Sequence, residues 1–369
     1  MQDLITKGAV EKRERNYGID LLRIVSMFFI CVHHTLIHGG LLSAAPQSVN
    51  YYCAWLIDAA VICAVNCYAL ISGFVGADSK FKVSNIVYLW LQVVFYSVII
   101  AAVFMVVQPE TYGLATLIQS FFPVTVSLSY WYFKAYFGMF FLIPIMNFVI
   151  TNMPRRALKW TLVLFLTAVI TVSLFADDVF GLRGGYIVWW LAILYLVGGY
   201  VKKYDPLKNA KTGWLIFTAI VSVLISWAYK LVAEKIGLNA YSDRLLSYVS
   251  PTVFAVALIL LTVFSGIKFD RKPRLIAFFA PLSFGVYLIH DNIAVRNALI
   301  SGRFVSFAEQ SFALMILCVL GMAFGIYVVC SLIDYLRLML FKAFKLKSLL
   351  SKAEEKVKNR ILEREVPKE

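Results

Sequence analysis

Residues 18–40 read GIDLLRIVSMFFICVHHTLIHGG, and the reading of this stretch decides the fold. Apart from Asp20, Arg23 and three histidines it is almost wholly apolar. It has about the 20 residues that a helix needs to cross the roughly 30 Å hydrocarbon layer of a bilayer. Further apolar runs follow at about 50–75, 83–107, 130–150, 159–175, 186–201, 213–233, 248–266, 275–297 and 311–338, cut wherever charge, Pro or Gly interrupts them. Composition agrees: 61% of the 369 residues are hydrophobic and 15% are charged, against about 25% charged in a soluble domain. The expected fold is therefore an all-α integral membrane protein of about ten transmembrane helices. The fifth and sixth runs are short for a full crossing.

The formal charge of +14 would suggest an acidic partner in a soluble protein. Topology explains it better. With ten spans, 27 of the 35 Lys and Arg fall on the side of the N-terminus, six fall opposite, and Arg23 and Lys134 lie inside spans. Cytoplasmic loops hold the positive excess, so both termini are expected in the cytoplasm and the protein in the cytoplasmic (inner) membrane. The first run lacks a small-residue cleavage site and reads as an uncleaved helix. The divisions are a cytoplasmic segment 1–17, a membrane domain 18–340 and a basic amphipathic tail 341–369 suited to an anionic leaflet. Residues 108–129 are expected to lie on or re-enter the outer face.

An ionisable side chain at the centre of a membrane helix costs about 3 kcal/mol or more, which makes each one a functional candidate. The eleven-residue step from Arg23 to His34 is three helical turns plus about 20°, so both side chains share one face about 16 Å apart. His38 follows on nearly that face, whereas His33 is turned about 100° from His34 and is the weaker partner. Asp20 can pair with Arg23 at i,i+3. The alternative is that Arg23 snorkels to headgroups and the histidines sit at the interface.

A second cluster, His290, Asp291 and Asn292, lies in PLSFGVYLIHDNIAVR (281–296), with His290 at nearly the depth of His34. Two histidines at one depth suggest one site, with a backbone-bonded His290 as the alternative. Asp291 is better aimed at another neighbour than at His290. Asp58 and Lys134, also in the outer half, can form an ion pair. Trp131, Tyr132 and Tyr136 either line a sugar-binding cavity or form an aromatic belt. Ser72 and Gly73 suit close helix packing. The six cysteines read as small apolar residues; Cys63 and Cys67 have no matching ligand nearby, and no metal is expected. Phosphate loops, HExxH, GxSxG and dinucleotide fingerprints are absent from the sequence.

The string RNYGIDLLRIVSMFFICVHH (15–34), with Arg15, Asp20, Leu22, Arg23 and His34, resembles the first-helix signature of the membrane acyltransferase-3 family. VNCYALISGF (65–74), YWYFKAYFGMFFLIPIMN (130–147) and the 281–296 segment resemble that family in the same order. The resemblance covers about 280 residues. It implies transfer of acetyl or another short acyl group from cytoplasmic acyl-CoA to a hydroxyl of a cell-surface polysaccharide, glycolipid or similar acceptor. Arg23 and His34 would be the catalytic pair. The branch looks like O-acetyltransferases of surface polysaccharide and like the membrane half of vancomycin-resistance serine racemases. Many members carry an RxxR pair after the second span, where this chain has Lys80 and Lys82, and some append an esterase-like domain.

Acyl transfer to an alcohol needs a base for the hydroxyl and donors for the developing oxyanion. His34 is expected as base or acyl relay, Arg23 as a donor-binding cation oriented by Asp20, and His290 as an assisting group. His38, Asp58, Trp131, Lys134 and Asp291 are candidates for the acceptor. Arg155, Arg156, Arg271 and Arg274 are candidates for the phosphates of acetyl-CoA, with a pure topology signal as the alternative. The competing class is a transporter that relays protons through the same His, Arg and Asp. Against it, the sequence shows no pseudo-symmetric pair of Gly/Pro-broken helices.

Overall fold

A computed structural model describes residues 15–77, 79–124, 130–175, 178 and 180–365. Parts of the expected N-terminal segment (1–14), outer connection (125–129) and tail (366–369) lie outside the described residues. All regular structure among them is helical. In chain order the helices are α1 (Tyr17–Ile37), α2 (Val49–Val61), α3 (Ala64–Gly76), α4 (Val83–Val107), α5 (Leu114–Ser120), α6 (Trp131–Phe140), α7 (Ile143–Asn152) and α8 (Arg155–Phe175). They continue as α9 (Val188–Tyr204), α10 (Thr212–Lys235), α11 (Pro251–Ser265), α12 (Arg274–Phe279), α13 (Ser283–His290), α14 (Ile293–Leu299), α15 (Phe312–Ala343) and α16 (Leu346–Glu365).

Seven helices among the described residues are long and apolar enough to cross a membrane, or nine if each of two bent pairs is one span. Helices α2 and α3 count as one, with a break at Ile62 and Cys63. The remaining expected run is α9, whose 17 residues stand at the short limit for a crossing. The fifth run is not short: α8 has 21 residues, because Arg155, Arg156 and Lys159 occupy its first turns instead of a loop. Its outward face, with α10 and α15, exposes Leu164, Phe165, Phe217, Ile220, Leu317 and Phe324, an apolar surface suited to lipid. Residues 108–124 hold only the seven-residue α5, packed on α4, and make no crossing.

The loops sort into two ends as their charge predicts. At the basic end, the Asn16 side chain caps α1 through the Ile19 N–H and donates to Ser265 O at the end of α11. Asn147 donates to Gly76 O at the end of α3, and Lys203 on α9 to the last carbonyls of α7. The tail helix α16 docks there too, where Glu354 accepts from the first N–H groups of α4, Val83 at 2.7 Å and Ser84 at 3.2 Å. At the opposite end, Gly302 N–H donates to His38 O and Tyr51 OH to Glu234.

Two packed cores share α1. Its inner half, with Ile19 and Leu22, joins the group around α3, α9 and α11, and its outer half, from Met27 to Leu36, joins the group around α4, α13 and α15. In the first core α3 and α9 touch backbone to backbone. A Cβ on Gly73 would fall 1.9 Å from Tyr195 O, and one on Gly198 would fall 2.0 Å from Leu70 O. Gly73 therefore does what a small residue in a membrane helix is expected to do. In the second core Asp334, fully buried, is held by Arg337 and Tyr96 OH at 2.7 Å. Arg337, which the loop count treats as a flanking charge, is thus a buried partner within the helix bundle.

Both bent pairs face this junction. Helices α6 and α7 are inclined by 58°, and the Arg274–His290 run by 73° to α14. The second bend falls at Asp291 and Asn292, where Asn292 caps α14 through the Ala294 N–H. Tyr130 secures it: its OH donates to Leu288 O at 2.6 Å and accepts from Asn292 at 2.8 Å. The sequence reading, which looked for a pseudo-symmetric pair of Gly/Pro-broken helices, did not foresee these two bends; the second falls at Asp291 and Asn292, neither Gly nor Pro.

Candidate functional site

Asp20 is buried on the first turn of α1 and accepts from Arg23 at 2.8 Å and from Arg15. One carboxylate thus serves two guanidiniums. Arg15, Asp20, Arg23 and Lys202 line an open cavity at the basic end, so the charge there is net positive. Arg23 also lines a second open cavity, walled by Tyr68, Ser72, Tyr132, Tyr136 and Phe284. Tyr68, Tyr132 and Phe284 in turn belong to a third, narrow cavity that reaches His33 and His34. Three hollows therefore stand in a row along the face that carries Arg23 and His34; Arg23 is common to the first two, and Tyr68, Tyr132 and Phe284 to the second and third.

At the far end of this row His34 meets the bend in the α13–α14 pair. His34 Nδ1 lies 3.0 Å from His290 Nε2, and His290 Nδ1 lies 2.6 Å from Val286 O. A carbonyl only accepts, so the proton of neutral His290 sits on Nδ1 and its Nε2 is an acceptor. His34 Nδ1 must then be the donor. Neutral His34 keeps its proton on Nδ1 and leaves Nε2 with a free lone pair. Asp291, bonded to Arg296 at 3.0 Å, has a carboxylate oxygen 3.7 Å from His34 Nδ1, where it favours a positive ring.

The structure brings together Asp20 with Arg23, and His34 with His290, Asp291 and His38, whose ring centroid is 4.8 Å from that of His34. Asp58 is placed otherwise than expected. It bonds His33 Nδ1 at 2.6 Å and makes no ion pair with Lys134, because α2 faces the outer end of α1. His33 itself lines the cavity beside His34: the hollow opens between α1, α3, α6 and α13, so adjacent positions on α1 both reach it. Trp131 is on that wall, stacked on Tyr248. Arg155, Arg156, Arg271 and Arg274 are exposed and line none of these cavities; Arg155 stacks on Tyr204. Arg15, Lys202 and Lys208 line the hollows at the basic end instead.

Sequence reasoning missed three features. Arg296 looked like a loop charge, although its place five residues after Asp291 allows the bond observed. Tyr287, which the sequence did not single out, joins Tyr132, which it offered as a cavity residue, on the wall of the histidine cavity, and both carry buried hydroxyls with no hydrogen-bond partner among the described residues. Such a donor costs about 1–3 kcal/mol unless something accepts from it. His34, His38 and Asp291 also offer ligand atoms within 4.8 Å of one another. A cation there would meet Arg296, already bonded to Asp291.

A family model described as an acyltransferase domain matches residues 16–334. The chain belongs to the acyltransferase-3 family. It is a multi-pass membrane acyltransferase, and the match takes in every cavity residue named above except Arg15. Comparisons with curated proteins and with solved structures returned no match. Arg23 and His34, the pair that the resemblance singled out, stand at the two ends of the row of hollows.

Proposed function

We propose that this acyltransferase moves a short acyl group, acetyl in the simplest case, from cytoplasmic acyl-CoA to a hydroxyl of a cell-surface polysaccharide, glycolipid or similar acceptor. The cytoplasmic membrane is its proposed place, with the basic end inside. The observation that carries this reading is the row of hollows from Arg23 to His34. A thioester on a long flexible arm can enter at a cationic mouth and bring its carbonyl to an imidazole about 16 Å further along the helix.

Arg15, Arg23, Lys202 and Lys208 suit the phosphates of the donor, and Asp20 holds the two guanidiniums in place. His34 Nε2 is the free base, which either takes the hydroxyl proton or attacks the thioester carbonyl. As it gains positive charge, Asp291 favours that charge and the His290 ring fixes its orientation. The unpartnered hydroxyls of Tyr132 and Tyr287 are suited to the oxyanion that forms on the thioester carbonyl.

The test is thiol release from acetyl-CoA by purified protein, with and without a glycan acceptor, for wild type and His34→Ala. We expect release to depend on acceptor and to fall at least about 100-fold in the variant, with assembly unchanged. Full acyl transfer by His34→Ala refutes the assignment. The two bent pairs are the one feature that favours a transporter. Solute uptake by proteoliposomes without acyl-CoA would support that reading instead.

A further inference from the structure

His33 has no part in the route just described, yet it faces the same cavity as His34, with the ring centroids 5.7 Å apart. The two imidazoles differ in what holds their Nδ1 atoms. His34 Nδ1 donates to a neutral ring, whereas His33 Nδ1 lies 2.6 Å from a carboxylate oxygen of Asp58, itself 1% exposed. An ionised carboxylate accepts only, so the proton of neutral His33 is on Nδ1 and its Nε2 carries the lone pair. Asp58 makes no other side-chain hydrogen bond among the described residues. A buried carboxylate committed to one imidazole is the arrangement that orients a base and stabilises it once protonated.

We infer that His33, positioned by Asp58, is a second catalytic base, which takes the proton of the acceptor hydroxyl while His34 holds the acyl group. The inference rests on the acyl-transfer reading above. In the first step His34 Nε2 bonds to the carbonyl carbon, the C–S bond breaks, and coenzyme A leaves as thiolate. With its lone pair in that new bond, His34 Nε2 is no longer a base, and the hydroxyl needs another. In the second step the acceptor oxygen bonds to the acyl carbon as His33 Nε2 takes its proton, the C–N bond breaks, and His34 regains its lone pair. The proton on His33 then passes through water to the thiolate. The sum is thioester plus alcohol giving ester plus thiol.

The test uses full-length protein in detergent or nanodiscs, rapid mixing with radiolabelled acetyl-CoA, and the variants His33→Gln, His33→Ala, Asp58→Asn and His34→Ala. For the His33 and Asp58 variants we expect a burst of about one thiol per protein, label retained on the chain, and acceptor acylation slowed on the order of 100-fold. His34→Ala should show no burst. Azide or imidazole, which can stand in for a missing base or acceptor, should release the label from His33→Ala. Equal loss of burst and acceptor transfer in both His33 variants overturns the inference, as does unchanged acceptor transfer. Steady transfer by wild type without label on the chain overturns it too. Absence of any thiol release by wild type overturns the acyl-transfer reading itself.

Discussion

At Asp20 two guanidiniums share one carboxylate, and this fixes what Arg23 can do. Its charge is only half answered by Asp20, since Arg15 takes the other oxygen, so a surplus cation is left at the mouth of the cavities. Replacing Arg23 by Ala should raise KM for acyl-CoA about tenfold or more with a smaller change in kcat, as read from initial rates against donor concentration; unaltered KM would count against a donor role. Tyr287 offers the opposite split. A hydroxyl that waits for an oxyanion acts in the transition state, so Tyr287→Phe should lower kcat on the order of 100-fold and leave KM nearly unchanged. The placement of Arg23 on the face of His34 was legible in the sequence because an eleven-residue step on one helix is a matter of arithmetic. The tyrosine was not, since its lack of a partner depends on helices far apart in the chain.

At the level of single helices, breaks and caps do the positioning. The bend at Asp291 and Asn292 turns the chain so that His290 points at His34 while Asp291 meets Arg296 on the next helix. Nothing in the apolar run 275–297 announces a 73° bend, because Asn292 reads as an ordinary polar residue until Tyr130 is seen to bond it. The tail helix α16 is held to α4 by Glu354, whose carboxyl is kept below its ordinary value of about 4.5 by hydrogen bonds from the Ser84 and Val83 N–H groups that begin α4. A depressed folded-state pKa stabilises docking above that ordinary value, and the contribution is lost as pH falls through the lowered one. Limited proteolysis between α15 and α16 should therefore speed up as pH drops below about 4.5, and Glu354→Gln should show the fast rate already at pH 7. Cleavage that ignores both changes would exclude Glu354 as the latch.

Across the whole molecule, the apolar runs and the charge of their loops predicted an all-helical membrane bundle with two distinct ends, and these are present. The run boundaries were good to a few residues because lipid thickness sets helix length. What the pattern could not contain was the space between helices. His33 was discounted on helical angle alone, although a cavity bounded by four helices is wide enough to take two adjacent residues. Asp58 was paired with Lys134 by depth, where the actual neighbour was decided by which face α2 turns to α1. Depth is read along one axis; contact needs the other two.

The central claim is that acyl donor travels along the row of cavities between Arg23 and His34. Ser72, on the wall of the middle cavity, permits a direct measurement. In a chain whose six native cysteines are replaced, Ser72→Cys is treated with a bulky thiol reagent, and labelling and acyl transfer are followed together. Transfer should fall in step with labelling, and acetyl-CoA should slow labelling. Full transfer by protein whose Cys at position 72 is completely blocked would contradict it.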